Sequence, residues 1–399
     1  MQRTQTRWRA AICALLFGVV GALYIGKLPP AIPALRAEFS LSLIESGWLV
    51  SAFNTLGVVA SIFMGLWTAR LGPLRLCMAG LAFLVIGGLT GALAATATGL
   101  LMSRFLEGVG FLCIVVSAPA LLMLSTAPAD RKLVFSYWGG YMPTGTTIGM
   151  LLAPVLIAAY GWRALWMATV GCGIAAMILL FTLRREYATP SKARGPSWRE
   201  SALPLKAAGP WWIAVAFGCY AFNYYAIMVW LPTFMVGARG TPLALASLLT
   251  ALMVAVNVPG NILGGLLMQR GMPRGVNVCI AGVATALTCL AIFSPDLPDA
   301  MRYVGCLAFS FSVGILPGSV MSAAQTHAHT PAQVGTVQGM INQGSNMGQF
   351  ASPLLVTAVI GVGLAWDRML TLLLSTSAVI FASGIFIFSL ERRVRSPGQ

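Results

Sequence analysis

Twelve apolar stretches follow one another along this 399-residue chain, at roughly 10–34, 46–68, 74–95, 99–124, 135–159, 162–183, 211–235, 242–268, 275–294, 300–324, 333–361 and 367–390. A helix needs ~20 apolar residues to cross a bilayer. The runs are continuous rather than alternating in ten-residue segments, which excludes a membrane barrel. Only 9% of residues are charged, against about 25% in a soluble domain, so a soluble enzyme is excluded too. The expectation is an all-α membrane protein with twelve transmembrane helices. The first run follows Arg3, Arg7 and Arg9 as a signal peptide would, but it is too long for one and reads as a retained first helix.

A net charge of +15 would ordinarily suggest nucleic acid, but its distribution points elsewhere. With the N-terminus inside, the inner segments hold Arg3, Arg7, Arg9, Arg70, Arg75, Arg131, Lys132, six cations between 184 and 206, Arg270, Arg274, Arg392, Arg393 and Arg395. The outer segments hold Arg36, Arg163, Arg239, Arg302 and Arg368. This asymmetry obeys the positive-inside rule and places both termini in the cytoplasm of a multi-pass inner-membrane protein. The basic charge then meets anionic lipid headgroups, and no nucleic-acid partner is expected. All eight cysteines lie within apolar spans without a C-x-x-C pair, so they read as buried small hydrophobes.

The chain repeats itself. Gly145-x3-Gly149-x3-Ala153-Pro154 returns as Gly344-x3-Gly348-x3-Ser352-Pro353, 199 positions later. Gly161-Trp162-Arg163 follows the first copy and Trp366-Asp367-Arg368 the second. Gly65-LWTARLGPL-Arg75 is likewise echoed by Gly265-LLMQRGMP-Arg274. The polar, proline-containing stretch around 184–210 divides the spans into six plus six. The expected organisation is a six-helix bundle over 1–184, a cytoplasmic linker over 185–210 and a second, pseudo-symmetric six-helix bundle over 211–399. Small residues four apart let a neighbouring helix approach closely, and the proline after them loosens the helix. One such hinge per half suits two bundles that rock about a central site.

These motifs resemble those of the major facilitator superfamily of secondary transporters, over essentially the whole chain. Gly65, Arg70 and Gly72 are similar to its G-x-x-x-D-R-x-G loop, with Ala69 in the place of the usual Asp. Arg104-FLE-Gly108-V-Gly110 resembles the fourth-helix R-x-x-x-G-x-G motif. The Gly145/Gly149/Pro154 run resembles the fifth-helix G-x-x-x-G-P motif, with Ala153 before the proline. Trp230-Leu231-Pro232-Thr233 resembles a frequent seventh-helix ending. The resemblance implies transport by alternating access, with helices 1, 4, 7 and 10 lining a cavity. It implies gating or conformational roles for Gly65, Arg70, Gly72, Arg75, Gly145, Gly149, Pro154, Gly344, Gly348 and Pro353.

Three charges stand inside the spans: Lys27, Arg104 and Glu107. A charge at mid-bilayer costs at least ~2.5–3.5 kcal/mol and is a functional candidate by default. Lys27 lies roughly 27 Å along span 1; Arg104 and Glu107 lie about 8–12 Å down span 4, so all three fall in the outer half. Arg104 and Glu107, three apart, share a helix face and can pair, which leaves Lys27 without a neighbour of opposite sign. The surplus of one positive charge favours an anionic substrate, met by Lys27 and Arg104. Tyr24-x-x-Lys27 is loosely similar to the first-helix Tyr-x-x-Arg of organic-anion symporters. Glu107, balanced between desolvation and a nearby cation, is expected to couple the proton, with Arg104 beside it. In the second half Asn223, Tyr224, Asn342 and Asn346 are the candidate polar contacts to substrate, within a stripe that also includes Gln338 and Gln349.

Other signals fall away. Gly21-ALYI-Gly26-Lys27-Leu28 mimics a phosphate-binding loop but ends in Leu28 and lies inside span 1. His327-x-His329 reads as a solvated loop pair rather than a metal site, and the many methionines as ordinary membrane-helix content. The expected function is therefore proton-coupled secondary transport of a small organic anion, by a monomer that uses no cofactor beyond the proton gradient and no metal. The alternatives are a proton-driven exporter of amphipathic compounds and, from another class, a receptor incapable of transport.

Overall fold

The computed structural model describes residues 5–187, 200, 202–320, 323–328, 330–361 and 363–395, and within these not the side chains of 65–70, 132, 133, 136, 324, 325, 331, 332 and 393–395. The described residues are nearly all helical and include no strand. Among the described residues, eleven spans are long and apolar enough to cross a membrane. The twelfth helix of the architecture, Pro331–Ile360, matches them in length but is diluted by Gln338, Asn342, Asn346 and Gln349. Large apolar side chains such as Ile178, Phe181, Ile262 and Leu287 face outward, more than half of each exposed; they suit hydrocarbon rather than water.

Internal contacts form two compact units. The first holds Met1–Gly57, Met64–Gly195 and Met235–Ala251; the second holds Val58–Phe63, Pro196–Phe234 and Leu252–Gln399.

In the first unit, α1 (Trp8–Gly26) and α2 (Leu28–Phe39) form one span broken at Lys27. The break follows from Pro29 and Pro30, which carry no N–H to offer the carbonyls of Ile25 and Gly26. α3 (Leu43–Ala52) opens with a capping box in which Ser42 and Glu45 satisfy each other's backbone N–H. α4 (Thr55–Leu71), whose Val58–Phe63 stretch groups with the second unit, continues the same span after an interruption at Phe53 and Asn54, where the sequence suggested a continuous helix. Gly72, at φ +82°, turns the chain into α5 (Pro73–Ala92), a conformation that glycine adopts without a Cβ clash. α6 (Ala97–Ser125), capped by Thr96, α7 (Arg131–Gly139), α8 (Tyr141–Tyr160) and α9 (Trp162–Thr182) follow.

The second unit is built mainly from α10 (Ala208–Arg239), α11 (Leu243–Gln269), α12 (Arg274–Phe293), α13 (Asp299–Val320), the short α14 (Ala323–His327), α15 (Pro331–Ile360) and α16 (Met369–Arg395). Its core includes Ile213, Ala216, Val278, Ile315, Leu316, Val337, Ile341 and Ile380.

The repeated small residues make equivalent contacts in the two units. A Cβ on Gly145 would lie 2.2 Å from the Val19 carbonyl oxygen, and one on Gly149 2.8 Å from that of Leu23. The α8 backbone therefore lies against α1. In the second unit a Cβ on Gly344 would lie 2.1 Å from the Ala214 carbonyl oxygen, and one on Gly348 2.0 Å from that of Gly218. There α15 lies against α10, and the Ser352 hydroxyl donates to the Phe222 carbonyl at 2.8 Å. Pro154 and Pro353 sit inside these helices. Gly65 and Arg70 belong to the segment whose side chains lie outside the described residues, and Arg75 is exposed in the first turn of α5.

Candidate functional site

The three intramembrane charges meet within the first unit. Lys27, at the join of α1 and α2, is fully buried, and its peptide nitrogen lies against Gly149 of α8, where a Cβ would be 2.9 Å away. Arg104 and Glu107 come from one face of α6. A Cβ on Gly87 of α5 would lie 2.8 Å from the Glu107 side chain, and one on Gly108 of α6 1.9 Å from the Phe53 carbonyl oxygen. Glycines thus let backbones close around the charges, and the side chains of Lys27, Arg104 and Glu107 are 0%, 2% and 0% exposed.

Glu107 bridges the two cations. Lys27 Nζ donates to its Oε1 at 2.6 Å, and Arg104 donates to its Oε2. Lys27 also donates to the Thr169 hydroxyl at 3.1 Å and lies 4.3 Å from the ring centres of both Tyr24 and Trp166. Arg104 donates to the Tyr24 carbonyl at 3.0 Å and lies 4.6 Å from the Phe53 ring centre. The Tyr24 phenol donates to the Thr169 carbonyl at 2.9 Å. One carboxylate and two cations, held by ionised hydrogen bonds and aromatic faces, can persist where water is excluded. With all three groups ionised the cluster keeps a surplus of one positive charge.

The structure corrects the pairing expected of Lys27, which has Glu107 as a partner of opposite sign. Thr169 and Trp166 of α9 complete its surroundings. They carry no charge and follow no motif, so nothing local in the sequence marks them.

The second-half candidates separate. Asn223 is fully buried, and its amide bonds to α16: it donates to the Ser377 hydroxyl at 3.3 Å and accepts from the Thr376 hydroxyl at 2.5 Å. Tyr224 stacks on Tyr220 at 6.1 Å and is 6% exposed. Gln338 donates to Asn342 at 3.3 Å, and Asn346 donates to the Asn342 carbonyl at 2.8 Å and to the Ser61 hydroxyl at 3.2 Å. Asn342 and Asn346 are half-buried and keep the stripe drawn from their spacing.

A second buried ion cluster was not expected, because its members stand at helix ends. Arg274, 2% exposed, pairs with Glu391 and donates to the Ser319 carbonyl at 3.0 Å and the Thr326 hydroxyl at 3.1 Å. His327 Nε2 lies 3.2 Å from Glu391, which corrects its reading as a solvated loop residue. Glu391 is thus a second buried carboxylate beside Glu107.

Residues 10–353 match the sequence profile of the Major Facilitator Superfamily. The chain belongs to that superfamily. It is 24% identical, over 88% of its own length and 89% of the relative's, to a putative metabolite transport protein of Haemophilus influenzae. It is 25% identical to a putative niacin/nicotinamide transporter of Bacillus subtilis over 55% of this chain, spanning only 58% of that relative's length. Its fold is shared by a bacterial homologue of the human lysosomal transporter Spinster, in an inward-facing, unoccupied conformation, with a TM-score of 0.77 over 98% of this chain and 99% of that one at 16% identity. The superfamily membership places this chain among multi-pass membrane transporters.

Proposed function

We propose that the protein is a proton-coupled secondary transporter that moves a small organic anion across the inner membrane by alternating access, as a monomer with both termini in the cytoplasm. The observation that carries this reading is the Lys27–Glu107–Arg104 cluster, which closes one positive charge inside the first unit. An uncompensated cation in a low-dielectric interior is costly, and an anion that enters with its own charge relieves that cost. Tyr24 and Trp166 present aromatic faces to the same ammonium and suit an aromatic or planar carboxylate. The name of the Bacillus subtilis relative points to niacin, whose carboxylate has this chemistry, so nicotinate is the first probe.

A second reading, export of amphipathic compounds, draws on one observation. Phe217, Tyr220 and Tyr224 form a stacked aromatic column on α10, with ring centres 5.2 and 6.1 Å apart.

The two readings part in a thermal-shift screen of purified protein with monocarboxylates and cationic drugs. A ligand that binds the folded state raises its stability by RT ln(1 + [L]/Kd). Nicotinate and related anions are expected to raise the unfolding temperature. Stabilisation by lipophilic cations alone would sink the anion reading in favour of export.

A further inference from the structure

We propose that the proton coupled to transport travels on Lys27 Nζ rather than on the Glu107 carboxylate. This deepens the transport reading above and rests on it. The reasoning is a charge balance inside a closed site.

Both oxygens of Glu107 are occupied by cationic donors. Protonating the carboxyl would strip its anion from between them and leave two buried positive charges facing a neutral acid. Arg104 is not an alternative, because a guanidinium stays protonated in proteins. The Tyr24 phenol is not one either. It donates to the Thr169 carbonyl, and a phenolate there would set two oxygen acceptors against each other.

Lys27 is the group that remains. The titratable and charged groups around it are Tyr24 on its own helix and Glu107 and Arg104 on α6. From α9 it meets the hydroxyl of Thr169 and the ring of Trp166, with Cys172 interacting with Tyr24 rather than with the amine. α8 brings the backbone of Gly149.

Loss of a proton from Lys27 leaves the Arg104–Glu107 ion pair and a neutral amine, with zero net charge. Return of the proton restores the surplus, which a monoanion then cancels. The step balances as amine plus proton plus anion giving an ammonium–anion pair, with every proton taken from and returned to water. Proton and anion therefore load together, one of each, and the loaded site is electrically neutral.

The test uses full-length protein in liposomes containing a pH-sensitive dye, with radiolabelled nicotinate as the probe and the membrane potential clamped by potassium and valinomycin. Wild type is expected to accumulate nicotinate in response to a pH gradient, with one proton per nicotinate and no response to the clamped potential. Lys27→Arg keeps a permanent cation and is expected to exchange nicotinate across the membrane while accumulating none in response to the gradient. If Lys27→Arg still accumulates nicotinate and Glu107→Gln alone does not, the proton travels on Glu107 and the proposal is overturned. If wild type moves nicotinate without any proton, the coupling reading itself fails and this inference with it.

A second measurement needs no substrate. The chain has four lysines, Lys27, Lys132, Lys192 and Lys206, so the 13Cε resonance of Lys27 is assigned by its disappearance in Lys27→Arg. It is expected to move between ammonium and amine positions across the pH range in which the protein stays folded. A resonance pinned at the ammonium position overturns the proposal, whatever the cargo.

Discussion

Replacing Glu107 by glutamine would strand two cations. The amide keeps the side chain's shape, so packing among Gly87, Lys27 and Arg104 changes little and the loss is electrostatic. Removing one partner of a buried pair costs about 3–5 kcal/mol, because the other charge stays buried without compensation. Here the two affected side chains are 0% and 2% exposed, which removes the solvent screening that would discount a surface pair. Lys27 keeps the Thr169 hydroxyl and Arg104 the Tyr24 carbonyl, but both contacts exist in wild type and offset nothing. For a domain of 150–250 residues, 1 kcal/mol shifts Tm by about 2–4 °C, so Glu107→Gln is expected to lower it by about 6–20 °C. Unfolding can be followed with a thiol-reactive dye, since Cys13, Cys77 and Cys113 are buried in the first unit. Adding Lys27→Met to Glu107→Gln should recover part of the loss, with a coupling of roughly 0.5–3 kcal/mol between the two sites. A Glu107→Gln protein that melts within about 2 °C of wild type would refute the view that charge holds this cluster together.

Four further outcomes follow from the packing. Gly149→Ala and Gly348→Ala drive a Cβ to 2.8 and 2.0 Å from backbone carbonyl oxygens and should sharply reduce folded yield in detergent, by about 1–3 kcal/mol or more of overpacking. Gly171→Ala, with nothing within 4 Å of its Cβ, should raise stability by roughly 0.5–1 kcal/mol in the same melting assay. Asn223→Leu should lower the melting temperature through loss of its bonds to Thr376 and Ser377, about 1–3 kcal/mol; unchanged melting with lost nicotinate affinity would show it to be a ligand contact instead. Glu391→Gln leaves Arg274 buried without its carboxylate and should cost about 3–5 kcal/mol, seen as early melting; an unaffected melt would show that solvent reaches Arg274.

Much of this molecule can be read along the chain because a bilayer makes local demands. Each crossing needs its own run of ~20 apolar residues, so the number of helices is written in composition. Pro331–Ile360 shows the limit of that rule, since a polar stripe lowers its hydropathy while its length still spans. The 199-residue repeat likewise announced that small residues on two helices allow close approach, because GxxxG spacing is a property of one helix. The three intramembrane charges declared themselves by their cost.

What tertiary structure alone decided is which helix each of these features meets. The partner of Gly149 is α1 and that of Gly348 is α10. Lys27 pairs with Glu107, eighty positions away, and rests on Thr169 and Trp166 of α9, which no charge or motif singles out. Asn223 spends both ends of its amide on α16, and Arg274 and Glu391, at helix ends, bury each other. A sequence specifies a helix face through spacing of three and four residues, but the rotation and neighbour of that face are set by packing among distant helices. The charge surplus was legible from the residues Lys27, Arg104 and Glu107; that both carboxylate oxygens of Glu107 are taken by cationic donors was decided only by the fold.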